Sequence, residues 1–264
     1  MSEALRQEDW VEQRVEEVRR LLEAPPAPEA AAAPPLVKFP PRTAAQLAPL
    51  MEHTLLRPDA TPEAVLRVVE EAQTHRMAGV CVNAWHVPRV ADALVGSNVR
   101  VVAVVGFPLG ATFPVIKAAE AAEAVRRGAQ EVDTVVNVGA LRAGLLREVL
   151  DDLRAVVEGA GGRPVKVILE THLLSPEERA VGCALAELAG AAYVKTSTGF
   201  SGGGATVEDV LLMRRAVGDR LAVKASGGIR SAETGLALTA AGAQRLGTSA
   251  SVSILLGGTS GGAY

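Results

Sequence analysis

The chain has 264 residues, 48% of them hydrophobic and 22% charged, with a net charge of −3 and a pI of about 5.9. That length accommodates one large core, and no basic run stands out, which argues against a nucleic-acid surface. Aromatic residues are only 3% and there are two cysteines, Cys81 and Cys183. The core must therefore come from Val, Ala, Leu and Ile, no disulfide framework is expected, and the histidines form no metal-ligand cluster.

Residues 1–23 read as one charged helix with Val11, Val15, Val18 and Leu22 on a single stripe. A Pro/Ala-rich linker follows, including Pro25, Pro26, Pro28, Pro34 and Pro35. The helix reads first as a dispensable tail, with a partner or oligomer contact as the alternative. The N-terminus is too acidic for a secretory or transit signal, and the apolar stretches Val101–Ile116 and Leu246–Tyr264 are broken by Gly, Pro or Ser. These features give the expectation of a soluble, cytoplasmic protein without membrane contact.

From about residue 43 the pattern alternates. Apolar runs fall near Leu55, Val80–Val82, Val101–Val105, Val132–Val136, Val165–Leu169, Tyr193–Val194, Leu221–Val223 and Arg245–Leu246. Helical patterns separate most of them. Thr61-Pro62-Glu63 and Ser175-Pro176-Glu177-Glu178 open helices, and Lys117–Arg127 forms another. Gly79, Gly128, Gly190 and Gly242 read as helix stops. Eight such units predict an α/β fold, a (β/α)8 TIM barrel over residues 43–258, preceded by an N-terminal extension (1–42) and followed by a short tail (259–264).

Active groups of such barrels gather at the C-terminal ends of the strands. Lys195 and Lys224 each end an apolar run, one strand–helix–strand unit apart. Lysine is depleted from strands and rarely buried fully. Two neighbouring ammonium groups disfavour each other's charge, so one can become the neutral amine that a Schiff base requires. Asp133 lies inside an apolar strand, where an acid is costly unless paired. It reads either as an acid/base group or as half of a structural ion pair. Glu170 is expected to pair with Lys166 or another inward group. Cys81 reads as core filler on composition alone, and His53 as a structural histidine or a ligand. Gly202-Gly203-Gly204 suggests a mobile loop. Gly227, Gly228, Gly247 and Ser249, with Thr198 and Gly199, fall where barrels hold phosphate on backbone N–H groups, although each alone is an ordinary turn. Ser231 is placed to cap the helix behind them.

Seven stretches in order over residues 47–258 resemble the deoxyribose-phosphate aldolase family. They are His53-Thr-Leu-Leu56, Val105-Gly-Phe-Pro-Leu-Gly110, Glu131-Val-Asp133, Lys166-Val-Ile-Leu-Glu-Thr171, Val194-Lys-Thr-Ser-Thr-Gly-Phe200, Lys224-Ala-Ser-Gly-Gly-Ile-Arg230 and Arg245-Leu-Gly-Thr-Ser249. The resemblance implies a class I barrel aldolase that cleaves 2-deoxy-D-ribose 5-phosphate to acetaldehyde and D-glyceraldehyde 3-phosphate without a metal or other cofactor. It implies Lys195 as the Schiff-base lysine, Lys224 as the second lysine and Asp133 as the acid/base partner. Thr54, Cys81 and Thr198 match pocket positions, and Gly199, Gly228 and Ser249 match positions near the phosphate. Tyr264 matches a terminal tyrosine that reaches the site, and a homo-oligomer, dimer or tetramer, is expected. Glu52 stands where the family usually has Asp. The alternatives are another Schiff-base aldolase and a phosphosugar-binding barrel without chemistry.

Overall fold

The computed structural model describes residues 3–22 and 40–258, with side chains from residue 10 onward. The Pro/Ala linker and the tail with Tyr264 lie outside the described residues. Eight parallel strands close into a barrel in sequence order. They are β1 (Met51–Leu55), β2 (Gly79–Asn83), β3 (Arg100–Val105), β4 (Glu131–Val135), β5 (Val165–Ile168), β6 (Tyr193–Lys195), β7 (Ala222–Ser226) and β8 (Arg245–Thr248). Each coincides with one of the eight apolar runs. Closure is explicit in the register, because β1 pairs with both β2 and β8 through Thr54↔Cys81 and Met51↔Leu246.

The outer ring comprises α2 (Pro62–Thr74), α3 (Val87–Ala93), α4 (Pro114–Arg126), α5 (Val138–Arg142), α6 (Leu146–Gly159), α7 (Pro176–Ala189), α8 (Val207–Val217), α9 (Ala232–Ala240) and α10 (Ser251–Leu255), after α1 (Glu3–Leu22). Local chemistry sets several of their ends. The Thr61 hydroxyl caps α2 ahead of Pro62, and Ser175 with Glu178 forms a reciprocal capping box on α7. Gly190 stops α7 in the left-handed region, at φ 87°. Gly79 is not a helix stop. It is the first residue of β2, where a Cβ would come within 3.0 Å of the Arg100 carbonyl; the left-handed turn after α2 falls on Arg76 instead.

Helix α1 is an added layer on the barrel. Val11, Val15, Val18 and Leu22 are buried and join the main core, and the helix packs on α7 and α8. Arg19 donates two hydrogen bonds to Glu187, at 2.7 and 2.8 Å, and Arg147 donates to the Leu22 carbonyl at 2.8 Å. The segment is thus a packed helix with an apolar seam and a polar clamp. No described helix is long and apolar enough to cross a membrane.

Candidate active site

A strand turns alternate side chains to opposite faces. In this barrel that parity sends Glu52 and Thr54, Cys81, Val102 and Val104, Glu131 and Asp133, Lys166 and Ile168, Tyr193 and Lys195, Lys224, and Arg245 into the interior. Register then decides who meets. Lys195 stands beside Lys224 on adjacent strands, and Asp133 beside Lys166. The Asp133 carboxylate collects three lysines. Its Oδ1 accepts from Lys166 Nζ at 2.7 Å, and its Oδ2 accepts from both Lys195 Nζ at 2.8 Å and Lys224 Nζ at 2.7 Å. Lys224 also donates to Glu52 Oε2. Lys166 lies 2.7 Å from Glu131 and 3.4 Å from Glu52. The expected pairing of Lys166 with Glu170 does not form, because Lys166 faces Asp133 lower in the barrel.

The three lysines look alike in sequence and differ in charge environment. Burial penalises the ammonium of each. Around Lys166, the Asp133, Glu131 and Glu52 carboxylates outweigh that penalty and hold its pKa well above the ordinary lysine value. Asp133 and Glu52 do the same for Lys224. Lys195 has Asp133 alone, opposed by the Lys224 charge, and its pKa falls below the ordinary value, with burial as the largest cause. The neighbouring ammonium therefore assists a shift that desolvation leads. Asp133 is held well below the usual carboxylate range: its burial works the other way, and the Lys166, Lys195 and Lys224 charges overcome it. Three inward carboxylates (Glu52, Glu131, Asp133) face four inward bases (Lys166, Lys195, Lys224, Arg245). A neutral Lys195 balances that set. Lys195 is also the one with a little exposure, 4% of its side chain against 0% for Lys166 and Lys224.

Above the lysines, Leu56, Cys81, Val102 and Val104 form an apolar wall with Phe107 packed on it. Phe107 meets Phe200 edge-on, with ring centroids 5.2 Å apart. Burial pushes the Cys81 thiol up to about 11, so it is a neutral wall residue. The Thr54 hydroxyl donates to the Glu52 carbonyl at 2.9 Å, steadying the strand that carries that acid. His53 points outward and donates to Glu71 at 2.7 Å, the structural role.

The rim is built from the loops after β6, β7 and β8. Gly228 and Ser249 are exposed there, Gly199 half-buried, and Gly227 and Thr198 buried. The Ser231 hydroxyl caps α9 by accepting from the Thr234 N–H. Thr248 Oγ1 donates to the Ile229 carbonyl at 2.7 Å, tying the end of β8 to the loop after β7. Gly247, next to the last residue of β8, leads into this rim. It lies within β8, where a Cβ would come within 3.1 Å of Lys224 Cε, so glycine makes room for the lysine. In the Gly202–Gly204 stretch, Gly202 stands free with open space around it, whereas a Cβ on Gly203 would strike the His172 ring at 2.2 Å and one on Gly204 the Gly227 carbonyl at 2.7 Å. Lys166, Glu52, Glu131 and Arg245 complete the charge set and were not among the expected site residues. The signal that singled out Lys195 and Lys224, lysine inside an apolar strand, also marks Lys166. A cleft of about 880 Å³ on the outer ring, lined by Leu66, Trp85, Arg89 and Glu123 among others, lies away from this chemistry.

Comparison with known proteins agrees with this arrangement. Residues 49–261 match the model of the DeoC/LacD family aldolases. The deoxyribose-phosphate aldolase of Brevibacillus brevis is 54% identical over 215 residues, 81% of this chain and 97% of that protein. The Staphylococcus epidermidis enzyme of the same name is 51% identical over 210 residues, 80% of this chain and 96% of its own. Among solved structures, one from Coccidioides immitis assigned as this aldolase superposes with a TM-score of 0.82 at 36% identity, covering 94% of this chain and 96% of that one. The tetrameric deoxyribose phosphate aldolase of Aeropyrum pernix gives a TM-score of 0.75 at 32% identity, covering 81% and 91%. With the barrel, the lysine cluster and these matches in agreement, the chain belongs to the DeoC/LacD family of aldolases.

Proposed function

We propose that this protein is a deoxyribose-phosphate aldolase, reversibly cleaving 2-deoxy-D-ribose 5-phosphate to acetaldehyde and D-glyceraldehyde 3-phosphate through a Schiff base on Lys195. The observation that carries the reading is a single carboxylate oxygen, Asp133 Oδ2, in contact with both Lys195 and Lys224. Of the three lysines in the cluster, Lys195 has its pKa moved toward neutrality.

The steps follow from that contact. Neutral Lys195 attacks the C1 aldehyde of the open-chain sugar, and loss of water leaves an iminium, which accepts electrons from the breaking bond. Asp133 and Lys224, with a water, take the proton of the C3 hydroxyl. The C2–C3 bond breaks, glyceraldehyde 3-phosphate departs, and the remaining enamine is protonated at carbon and hydrolysed to acetaldehyde. The iminium is itself the electron sink, so the reaction needs no metal or organic cofactor. Leu56, Cys81, Val102 and Val104 offer a dry wall for the two-carbon fragment. Thr198, Gly199, Gly227, Gly228 and Ser249 surround the phosphate end, with the N-terminus of α9 favouring its charge. Tyr264 assists protonation of the enamine. Removing it is expected to slow solvent-deuterium exchange into acetaldehyde, and an unchanged exchange rate would argue that the tail is inert.

The deciding experiment is reduction with borohydride in the presence of acetaldehyde, followed by peptide mapping. A two-carbon adduct on Lys195 is expected, and an adduct on a different lysine refutes the assignment. By analogy with the tetrameric Aeropyrum relative we place the enzyme in a homo-oligomer, which sedimentation would test. Its phosphorylated substrate fits the cytoplasm.

A further inference from the structure

Glu170 is a buried carboxylate at the barrel mouth that the lysine chemistry leaves unused. It lies two residues beyond the end of β5 and adopts φ 59°, ψ 60°, the left-handed region that non-glycine residues other than Asn and Asp rarely enter. Such a conformation persists where its surroundings fix it, and it concentrates at functional sites. The surroundings here are the loop after β6 and the His172 ring, whose Nδ1 lies 3.5 Å from Glu170 Oε1 and whose Nε2 donates to the Ser201 carbonyl of that loop at 2.7 Å. Glu170 Oε1 accepts from the Thr198 N–H at 3.2 Å. Its Oε2 accepts from the Thr198 hydroxyl and, at 3.2 Å, from the Ser201 hydroxyl. The Thr198 hydroxyl, donating to Glu170, accepts in turn from the Phe200 N–H at 3.0 Å. One carboxylate thus fixes residues 198 to 201.

The constraint continues into the next loop. Ala205 N–H donates to the Gly227 carbonyl at 2.9 Å. A Cβ on Gly204 would come within 2.7 Å of that carbonyl oxygen, so the two backbones touch. Gly227 and Gly228 have positive φ, 89° and 71°, a path that only glycine follows easily. A contiguous track therefore runs from Glu170 through residues 198–205 to the glycine pair.

We propose that Glu170 is a positioning residue for the phosphate end of the substrate: it contacts no reacting atom, and by accepting hydrogen bonds from Thr198 and Ser201 it fixes the loop against which the Gly227–Gly228 backbone is set. The inference rests on the phosphosugar reading above and concerns only the half of the site remote from Lys195. A carboxylate near a bound dianion would repel it if exposed. Here it is turned away from solvent and spent on loop donors.

The test uses Glu170→Gly, which relieves the left-handed backbone but removes the carboxylate, and Ser201→Ala, which removes one of the three bonds. Each is assayed with 2-deoxyribose 5-phosphate and with 2-deoxyribose, and titrated calorimetrically with inorganic phosphate. In Glu170→Gly, KM for the phosphorylated sugar and Kd for phosphate are expected to rise about tenfold, the cost of losing a charged hydrogen-bond acceptor. The kcat, the rate on 2-deoxyribose and the acetaldehyde adduct on Lys195 should stay near wild type. Ser201→Ala should shift the same two constants in the same direction by less. An equal loss on both sugars would make Glu170 merely structural and overturn the proposal, as would an unchanged phosphate Kd. Should Glu170→Gly fail to fold, Ser201→Ala and Glu170→Gln carry the same comparison. Absence of the Lys195 adduct in the wild type would sink the aldolase reading instead, and phosphate titration would still report on Glu170.

Discussion

The chain buries lysine in two settings. Outside the sheet, Lys117 of α4 is fully enclosed, with Nζ 2.6 Å from Asp152 Oδ2 on α6 and 2.9 Å from the Val135 carbonyl at the end of β4. Inside the barrel, Lys166, Lys195 and Lys224 share Asp133. Both are buried ion pairs, and only one can do amine chemistry. Lys117 meets one carboxylate with one amine and lies beneath Gly106, whose Cβ would clash with the lysine stem at 3.0 Å. The inner set has one base more than it has carboxylates and opens toward the mouth at Lys195. Burial of a lysine is therefore a poor mark of function by itself. Surplus of amine over carboxylate, with access to substrate, is the mark.

Substitutions can break or sharpen that contrast. Lys195→Leu should remove turnover, by at least about 10⁴-fold as for loss of a covalent nucleophile, without loss of thermal stability, since it deletes the surplus base. Steady-state rates and a melting curve check this together. Lys224→Leu should lower kcat by about 10²–10⁴-fold, the range for loss of acid/base assistance. The sign of its pH effect is fixed: the Lys224 charge disfavours protonated Lys195, so its removal raises the Lys195 pKa. The ascending limb of the pH–rate profile should then move to higher pH. A limb that stays put would show that burial alone sets the nucleophile.

Lys117→Met leaves Asp152 buried and unpaired, and should cost about 3–5 kcal/mol in denaturant unfolding. Adding Asp152→Leu should recover much of that, and the acetaldehyde adduct should still map to Lys195. An adduct on Lys117 in the wild type would abolish the distinction. Val15→Asp in α1 should lose at least the burial of one valine, about 1.5–3 kcal/mol, with the rate per folded molecule unchanged. Arg19→Ala, at the edge of the same seam, should cost no more than about 1 kcal/mol.

The parts of the site differ in how legible they are along the chain. Lys195, Lys224 and Asp133 stand out because charged residues interrupt apolar runs. Lys166 breaks its run in the same way, yet its partner is Asp133 rather than the nearer Glu170. Gly247 looks like a phosphate-loop glycine from its neighbours Thr248 and Ser249, and its close approach to Ser226 and Lys224 is visible only in the packed barrel. Glu52, one methylene longer than the family's usual Asp, reaches Lys224. Neither its partner nor the left-handed turn at Glu170 is written in local composition.

Sequence alone determined what is local: the apolar runs, the helix caps, most of the glycine stops, and hence eight strand–helix units and the ordered motifs of an aldolase. Tertiary structure decided which inward side chains meet. Barrel closure and stagger bring β1, β4, β5, β6, β7 and β8 to one point, where three carboxylates meet four bases and Lys195 alone of the three lysines has its pKa lowered, by burial first and the Lys224 charge second. It also decided that the apolar stripe of α1 is covered by α7 and α8. A stripe states that it must be buried, and only the packed molecule states against what.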